Sequence, residues 1–320
     1  MNLLVTGGSG FIGTRLIREL LKVGHQVAIF DLAASATYPA LCQRGDVRDR
    51  QALTAAAAGC DAIIHLAAEH RDDAFSTALC EEVNVGGAEN VVVAARAVAC
   101  RRIVFTSSVA VYPLDAPGAT EEDQPRPYNR YGESKLAAER VFQEWARGTP
   151  GATMVTVRAC VVFGEGNRGN VYNLLSQIHR QRFLMVGQGH NRKSMAYVGN
   201  ISRFLASCLD YPQGTHLLNY ADKPDLSMTE LVGLAQRALL GRESAGLIHV
   251  PYRAGLLAGH ACDALAALLG RQFSISAIRI RKFCAETTVS TRRLDQTGFV
   301  RPDALAAALV NTIHFEFGKP

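Results

Sequence analysis

A short apolar run leads directly into the glycine-rich stretch VTGGSGFIG at residues 5–13. Gly7, Gly10 and Gly13 are spaced three residues apart, and Gly8, Gly10 and Gly13 also satisfy the pattern G-x-G-x-x-G. Glycine suits a tight turn where a pyrophosphate must approach the backbone and where the amides at a helix N-terminus face its negative charge. The stretch therefore predicts a strand, a phosphate-binding turn and a helix, in that order.

Four later runs rich in Val and Ile are each flanked by amphipathic helical segments: HQVAIFD, DAIIHLAA, RRIVFTSS and ATMVTVRACVVFG. This alternation implies right-handed crossovers and a mostly parallel sheet with helices on both faces. We therefore predict an α/β protein with a Rossmann-type doubly wound parallel sheet. Residues 1–165 would form the dinucleotide-binding domain, to which residues 193–220 return, and residues 166–320 would form a smaller, mainly substrate-binding α/β region.

An aspartate at the end of the second apolar run supports a dinucleotide ligand. Asp31 follows Gly13 by eighteen residues and would accept hydrogen bonds from the adenosine ribose hydroxyls. The LAASAT segment after it offers no arginine for a 2′-phosphate, so NAD is favoured over NADP. The GDVRD segment would border the adenine. The predicted contacts from this part of the chain are Gly7, Gly10, Phe11, Ile12, Gly13, Asp31, Leu32, Asp46 and Val47.

Composition excludes several other classes of protein. The net charge of +5 is spread along the chain and no run of five basic residues occurs, so a nucleic-acid surface is not expected. The eight cysteines are scattered without C-x-x-C or zinc-type spacing, which indicates reduced thiols and no metal site. Because the first strand begins within two residues of the start, we expect no secretory signal and a cytoplasmic location.

The most apolar later stretch is AGLLAGHACDALAALLG, residues 254–270. It is interrupted by His260 and Asp263 and is shorter than the roughly 20 residues that a membrane span requires. We predict a buried or half-buried helix, with an interfacial membrane contact as the alternative.

The segment YNRYGESKLAAE, residues 128–139, places a tyrosine and a lysine four residues apart. On a helix, Tyr131 and Lys135 would lie on one face and could meet the same ligand. A tyrosine with a pKa near 10 is a poor base at neutral pH, but a neighbouring ammonium and an oxidised nicotinamide both favour the phenolate. Tyr131 is therefore a candidate general base beside a nicotinamide cofactor.

Several of these motifs occur together in the order typical of one family: TGGSGFIG, GDVRD, HLAA, NVGGAENV, FTSSVAVY, YGESK and RACVVFG. The chain resembles extended short-chain dehydrogenases/reductases of the NAD-dependent epimerase/dehydratase family, which act on nucleotide sugars. The resemblance is dense over about the first 165 residues. It implies that Tyr131 exchanges a proton with a sugar hydroxyl during hydride transfer. It further implies that Lys135 holds the nicotinamide ribose and lowers the tyrosine pKa, and that Ser108 hydrogen-bonds the reacting oxygen.

The same resemblance implies further contacts. Cofactor contacts besides Tyr131 and Lys135 would be Leu66, Ala67, Ala68, His70, Asn84 and Cys160. Substrate contacts besides Ser108 and Tyr131 would be Lys193 and Arg281, both toward a diphosphate. His65 is expected to pack rather than to act as an acid or base, and Tyr112 and Tyr128 are expected to be packing or rim residues. A nucleotide-diphosphate sugar, most simply a UDP-sugar, is the implied substrate, and a homodimer the implied assembly.

The residues after Ser108 reduce the number of reaction types to consider. Dehydratases and decarboxylases that the chain resembles carry acidic residues there, whereas this chain has Val109 and Ala110. The first hypothesis is therefore an NAD-dependent 4-epimerase of a UDP-hexose or UDP-N-acetylhexosamine, in polysaccharide synthesis. The alternatives are a 4-keto nucleotide-sugar reductase of O-antigen or deoxysugar synthesis, and a non-catalytic dinucleotide sensor. In RACVVFG, Val161 stands where many members carry an asparagine that contacts the nucleotide sugar.

Overall fold

The computed structural model describes residues 1–70, 77–241, 248–269 and 276–318. The strands are β1 Asn2–Thr6, β2 Gln26–Asp31, β3 Cys42–Arg44, β4 Ala62–His65, β5 Arg102–Ser108, β6 Thr153–Ala159, β7 Val161–Phe163, β8 Met185–Val186, β9 Arg192–Tyr197, β10 Gly214–Tyr220, β11 Asp222–Ser227 and β12 His249–Val250. The helices are α1 Phe11–Lys22, α2 Arg50–Ala56, α3 Thr77–Cys80, α4 Gly87–Ala97, α5 Arg130–Arg147, α6 Asn170–His179, α7 Val198–Ser207, α8 Met228–Leu240, α9 Tyr252–Leu269, α10 Ala277–Cys284, α11 Arg292–Gln296 and α12 Leu305–Phe317. A π-helical segment, Glu81–Gly86, joins α3 to α4.

Seven parallel strands form the central sheet, in the order β10-β6-β5-β4-β1-β2-β3. The chain starts in the middle of this sheet, at β1, and winds outward first on one side and then on the other. The predicted doubly wound parallel sheet is confirmed. Its switch point lies between β1 and β4, and the crevice outside the carboxyl ends of these strands is where such sheets bind ligands.

Helices cover both faces of the sheet and bury two separate cores. One core packs α1 and α7 against the strands through residues such as Leu16 and Phe204. The other packs α2, α4 and α5 through residues such as Val91 and Trp145. Because neither face of the central strands meets water, β1 and β4 are apolar along nearly their whole length.

The long run ATMVTVRACVVFG does not form one strand. β6 ends at Ala159, and the amide of Cys160 donates to the carbonyl of Tyr220 at the edge of the sheet. β7 then leaves the central sheet and pairs with β9 in a three-stranded sheet, β11-β9-β7. β10 lies in the central sheet while β9 does not, so only part of the segment 193–220 joins the first domain, and the domain boundary stays a prediction.

The segment 254–270 falls in α9, apart from Gly270, which lies outside the described residues. The predicted helix is present and is half-buried: one of its faces is covered, and Leu257 and Leu265 on the other face are exposed. Small residues, Gly255 and Gly259, form the edge that packs on the protein. Among the described helices, none combines the length and apolarity needed to cross a bilayer.

Candidate active site

The glycine loop at the end of β1 has the backbone shape that its sequence predicts. Gly7 has φ +71°, and a Cβ added there would lie 2.5 Å from the amide nitrogen of Ala67. A Cβ on Gly13 would lie 2.6 Å from the carbonyl oxygen of Gly7. Gly10 precedes α1 and has no side chain to cap it, and the first turn of α1 contains no acidic residue. The amides of this turn are thus available to an anion, as a bound pyrophosphate requires.

Asp31 lies at the carboxyl end of β2, beside this loop. Its Oδ2 accepts a hydrogen bond from the amide of Ser9 (2.9 Å), and its Oδ1 accepts one from the amide of Ala33 (3.0 Å). These bonds fix the carboxylate where the adenosine ribose of a dinucleotide is recognised. Arg44 was not predicted from the sequence as a neighbour of Asp31. It pairs with Asp31 in register on β3 and donates from Nε to the Leu32 carbonyl (3.2 Å). The two residues lie on neighbouring strands, and a linear sequence does not show which strands are neighbours.

Other residues of the first domain that were predicted to contact the cofactor follow β4 and β2 or begin α1. Leu66, Ala67 and Ala68 follow β4, and the amide of Leu66 donates to the Thr6 carbonyl (3.0 Å). Phe11 and Ile12 begin α1 and are half-buried, while Leu32 is exposed. Cofactor contacts from these residues are consistent with their placement and stay predictions.

Asp46 is already engaged by the protein. Nη2 of Arg48 donates to its Oδ2 (2.6 Å), and this hydrogen bond holds the pKa of the Asp46 carboxyl below its usual range. Val47 is buried, with Gly87 packed close to its side chain. A contact from this segment to an adenine therefore remains a prediction.

Asn84 is buried between the loop after β4 and the helix that carries Tyr131. Its amide nitrogen donates to the carbonyl of Glu69 (2.9 Å) and to Oγ of Ser134 (2.8 Å), while its oxygen accepts from the amide of Glu69 (2.9 Å). These bonds tie the loop to α5, and the predicted contact of Asn84 with the cofactor stays a prediction. His70 is exposed at the end of the same loop.

The N-terminus of α5 brings Tyr131 to Ser108. Asn129 caps this helix by accepting a hydrogen bond from the amide of Gly132 (2.9 Å). Gly132 lies so close to the turn after β5 that an added Cβ would be 2.1 Å from the carbonyl oxygen of Ala110. Ser108 ends β5 and hydrogen-bonds Tyr131. The predicted tyrosine and serine thus share one site, because a glycine permits the helix to approach the strand end.

The pKa of Tyr131 differs from the sequence-based expectation. Burial raises it to about 12, and the hydrogen bond with Ser108 offsets this only in part. The expected lowering by Lys135 is not found, because the Lys135 ammonium lies over the ring of Phe105, 4.3 Å from its centroid. In the protein alone, Tyr131 is therefore a protonated phenol at neutral pH.

Lys135 is 2% exposed, and burial lowers its pKa to about 7 although the carboxylate of Glu139 raises it. No hydrogen bond to another described residue is made by its ammonium. A buried donor without a hydrogen-bond partner costs free energy unless a ligand supplies the acceptor. The hydroxyls of a nicotinamide ribose would supply such acceptors, so this position fits the predicted cofactor.

A buried ionic network behind this site was missed by sequence reasoning. Glu139 and Arg158 form a salt bridge of 2.7 Å, and Ser107 donates to Glu139. Arg158 also donates to the hydroxyl of Tyr112 (2.8 Å), which donates to Asn219 (2.8 Å). The available signal was an arginine within the apolar run TMVTVRA, since a charge in a buried strand needs a partner. The structure confirms packing for Tyr112.

His65 is also a core residue, as predicted. Its Nδ1 lies 2.6 Å from Oγ1 of Thr6, and its ring stacks on Phe105 with centroids 5.7 Å apart. Burial, together with the charge of Lys135, lowers the pKa of the imidazole to about 3. His65 is thus neutral and does not serve as a proton carrier at ordinary pH.

Two of the predicted substrate residues, Lys193 and Arg281, lie at or on α10. Lys193 donates to the carbonyls of Lys282 (2.9 Å) and Ala285 at the end of α10, and burial lowers its pKa to about 8. Arg281 is exposed on α10. Cys160, a predicted cofactor contact, is buried, and burial raises the pKa of its thiol; its contact with the cofactor stays a prediction. Because Lys193 is held by protein carbonyls, its role toward a diphosphate remains a prediction.

Gly132→Ala should lower turnover by about 10²-fold, because the clash with Ala110 moves Tyr131 away from Ser108 and a displacement near 1 Å costs that much. NAD binding should change little. Gly148→Ala, at the other end of α5, is the matched control, since its added Cβ would meet nothing closer than 3.5 Å and its φ is −88°. Steady-state turnover and NAD titration check both variants. Unchanged turnover in Gly132→Ala would show that the close approach does not position Tyr131.

The sequence of the chain is similar to those of known proteins. A model of the NAD dependent epimerase/dehydratase family matches residues 3–219. The N-acetyl-alpha-D-glucosaminyl-diphospho-ditrans,octacis-undecaprenol 4-epimerase of Escherichia coli O157:H7 is 44% identical over 318 residues, covering 99% of this chain and 95% of that protein. The UDP-glucose 4-epimerase of Vibrio cholerae is 27% identical over 72% of this chain and 74% of its own.

Solved structures show the same fold. MoeE5 in complex with UDP-glucose and NAD superposes with a TM-score of 0.78 at 25% identity, covering 98% of both chains. Together with the family match, these similarities confirm the predictions of an enzyme, of NAD as its cofactor and of epimerase activity. The chain belongs to the NAD dependent epimerase/dehydratase family.

Proposed function

We propose that this enzyme interconverts the two epimers at carbon 4 of an N-acetylhexosamine joined through a diphosphate to a polyprenol. The observation that carries the proposal is the 44% identity to the Escherichia coli 4-epimerase over 99% of the chain. The matched length extends through the region after residue 165, where the substrate is expected to bind, and beyond residue 219, where the match to the family model ends. A shared substrate class accounts for a match over nearly the whole chain.

The site supplies the proton chemistry that epimerisation needs. NAD, when bound, supplies the hydride acceptor and, in its oxidised form, a positive charge. The Tyr131 phenol, once ionised, takes the proton from the 4-hydroxyl of the sugar and returns it to the same oxygen. Ser108 hydrogen-bonds that oxygen, and Lys135 binds the cofactor ribose. Because the pKa of Tyr131 is about 12 in the protein alone, its ionisation at neutral pH depends on the loaded site.

One residue expected to contact the substrate favours a sugar that is linked to a group other than a nucleotide. Val161 is 38% exposed at the position where the family resemblance places an asparagine that contacts nucleotide sugars. A valine offers no amide for such a contact, so a nucleotide would be held less well there. A UDP-N-acetylhexosamine remains the second candidate, favoured by the similarity to a UDP-glucose 4-epimerase over 72% of the chain.

The two substrates can be separated directly. The purified enzyme is given, in detergent, N-acetylglucosamine on a short polyprenyl diphosphate and, separately, UDP-N-acetylglucosamine, and both epimers are quantified by NMR. We expect the polyprenyl-linked sugar to convert with the higher kcat/KM. Conversion of the UDP-sugar alone would overturn the proposed substrate and leave the predicted UDP-sugar epimerase.

The cellular setting belongs to the same proposal. An epimerase of a polyprenyl-linked sugar would provide a donor for surface polysaccharide, such as O-antigen, from the cytoplasmic side. A homodimer through helices that include α5 is the expectation from the family resemblance. Sedimentation of the purified enzyme tests the assembly.

A further inference from the structure

The packing of α9 is inverted relative to an ordinary surface helix. Its inner edge consists of glycines: a Cβ on Gly255 would lie 2.8 Å from the Val186 side chain, and one on Gly259 would lie 2.8 Å from the backbone of Ala277. The helix therefore docks on β8 and α10 through its smallest residues. Three of its leucines, Leu257, Leu265 and Leu269, are exposed, whereas a surface helix normally turns such side chains toward the core.

These side chains form one continuous stripe, the outer face of α9, which consists of Leu257, Ala261, Leu265 and Leu269. Their spacing of four residues places them on one side of the helix. The leucines are 71%, 45% and 54% exposed in chain order. One exposed leucine needs no explanation, but a contiguous apolar stripe over three turns marks an interaction surface.

The charged side chains of α9 and α10 are mostly basic. α9 and α10 carry Arg253, Arg279, Arg281 and Lys282, against the single carboxylate of Asp263. Asp263 is engaged within the pair of helices, because its Oδ2 accepts a hydrogen bond from the amide of Ala277 (3.0 Å). An apolar helix face on a pair of helices that carries four basic residues matches an anionic bilayer surface, into whose headgroup layer such helices insert sideways.

The last turn of α10 connects this surface to the active site. The ammonium of Lys282 lies over the ring of Tyr128, 5.2 Å from its centroid, and the Lys282 carbonyl accepts a hydrogen bond from Lys193. Tyr128 precedes Tyr131 by three residues and is partly exposed. The α9–α10 pair therefore reaches the rim of the site that holds the reacting sugar.

We propose that the outer face of α9, together with Arg253 on the same helix and the exposed Arg281 on α10, docks on an anionic bilayer surface, so that the enzyme meets its substrate at the membrane. The proposal rests on the proposed function, because a polyprenyl-linked substrate is one of the reasons to choose a lipid surface as the partner of this face. A polyprenyl chain would stay in the bilayer while its diphosphate and sugar reach the site past α10. A second copy of the chain is a poorer occupant, because two such faces would bring their arginines together.

Vesicle co-sedimentation tests this with the whole enzyme and without any turnover. Wild type should pellet with vesicles of phosphatidylglycerol and phosphatidylcholine, and less with phosphatidylcholine alone. Leu257→Glu/Leu265→Glu should lower binding to the anionic vesicles by on the order of tenfold or more, and Leu257→Ser/Leu265→Ser should lower it too, since lost apolar area alone weakens insertion. Val23→Glu/Val300→Glu changes two other exposed apolar residues, 68% and 77% exposed, elsewhere in the chain and should bind like wild type.

The outcomes separate this inference from the proposed function. Failure of wild type to bind anionic vesicles, or equal binding by the Leu257/Leu265 variants, would overturn the docking surface. Gel filtration showing a dimer that these variants break, without vesicle binding, would do the same and would assign the face to a second copy. The proposed function fails separately, if wild type in detergent does not convert the polyprenyl-linked sugar. We expect the variants to retain that activity in detergent.

Discussion

Tyr131→Phe should bind NAD like the wild-type enzyme and lose roughly 10²- to 10⁴-fold in turnover, the usual contribution of a positioned acid or base. The substitution removes only the hydroxyl that hydrogen-bonds Ser108 and that exchanges the proton of the sugar. The glycine loop and Asp31 remain intact. Steady-state turnover, together with NAD titration by fluorescence or calorimetry, measures the two effects separately.

Tyr172→Phe is the matched control for this variant. The ring of Tyr172 stacks on Phe317, with centroids 5.6 Å apart, and Tyr172 lies on α6. Its turnover should equal that of the wild type. If Tyr131→Phe retained wild-type turnover, the phenol would not be the proton carrier. If it retained an unchanged biological activity as well, the alternative of a dinucleotide sensor would be favoured.

Lys135→Met should inactivate the enzyme and, at the same time, stabilise the cofactor-free protein. Activity should fall by on the order of 10²-fold or more, because the cofactor ribose loses its buried donor. The free energy of unfolding near pH 7 should rise by roughly 1–4 kcal/mol, the range seen when buried charges are replaced by apolar groups of similar volume. Met keeps most of the packing of the lysine stem against Phe105.

The stability gain should depend on pH in a defined direction. The pKa of Lys135 is lowered from 10.5 to about 7 by burial, so between these values the unfolded chain binds a proton that the folded protein does not. The folded wild type therefore gains stability as pH rises through this window, and the advantage of Lys135→Met should shrink. Urea unfolding at several pH values measures it. An advantage that stays constant from neutral to alkaline pH would show that Lys135 is not titrating as a buried group.

The sequence predicted the central architecture well because its signals are local. Alternating apolar runs and helical patterns define a parallel sheet, and a glycine loop between β1 and α1 has few other uses. The break at Cys160 was not predicted. An uninterrupted apolar run carries no mark of the point at which a chain leaves one sheet for another, since that point depends on pairing between β6 and β10.

The residues of the candidate site were predicted from the sequence, but the pKa of Tyr131 and the position of the Lys135 ammonium were not. Tyr131, Lys135 and Ser108 follow from spacing and family resemblance, and the structure places the tyrosine against the serine. The raised pKa of Tyr131 and the position of Lys135 over Phe105 depend on burial, which a linear pattern does not specify. Which face of α9 is exposed was not predicted for a similar reason. A helix rich in alanine and leucine is typical of a core, and the sequence does not show that its glycines form the packed edge.

The central claim is that one hydride leaves carbon 4 of the sugar and returns to it, while one proton leaves the oxygen on that carbon and returns to the same oxygen. It is tested most directly by running the reaction in deuterated water, with NAD and the polyprenyl-linked N-acetylglucosamine, and following carbon 4 by NMR and the cofactor by absorbance. We expect the 4-epimer to form with protium retained at carbon 4 and with no net NADH produced or consumed. Deuterium at carbon 4 would indicate proton abstraction from carbon, and reaction of only a 4-keto sugar with stoichiometric loss of NADH would indicate a reductase. Either result would contradict the account.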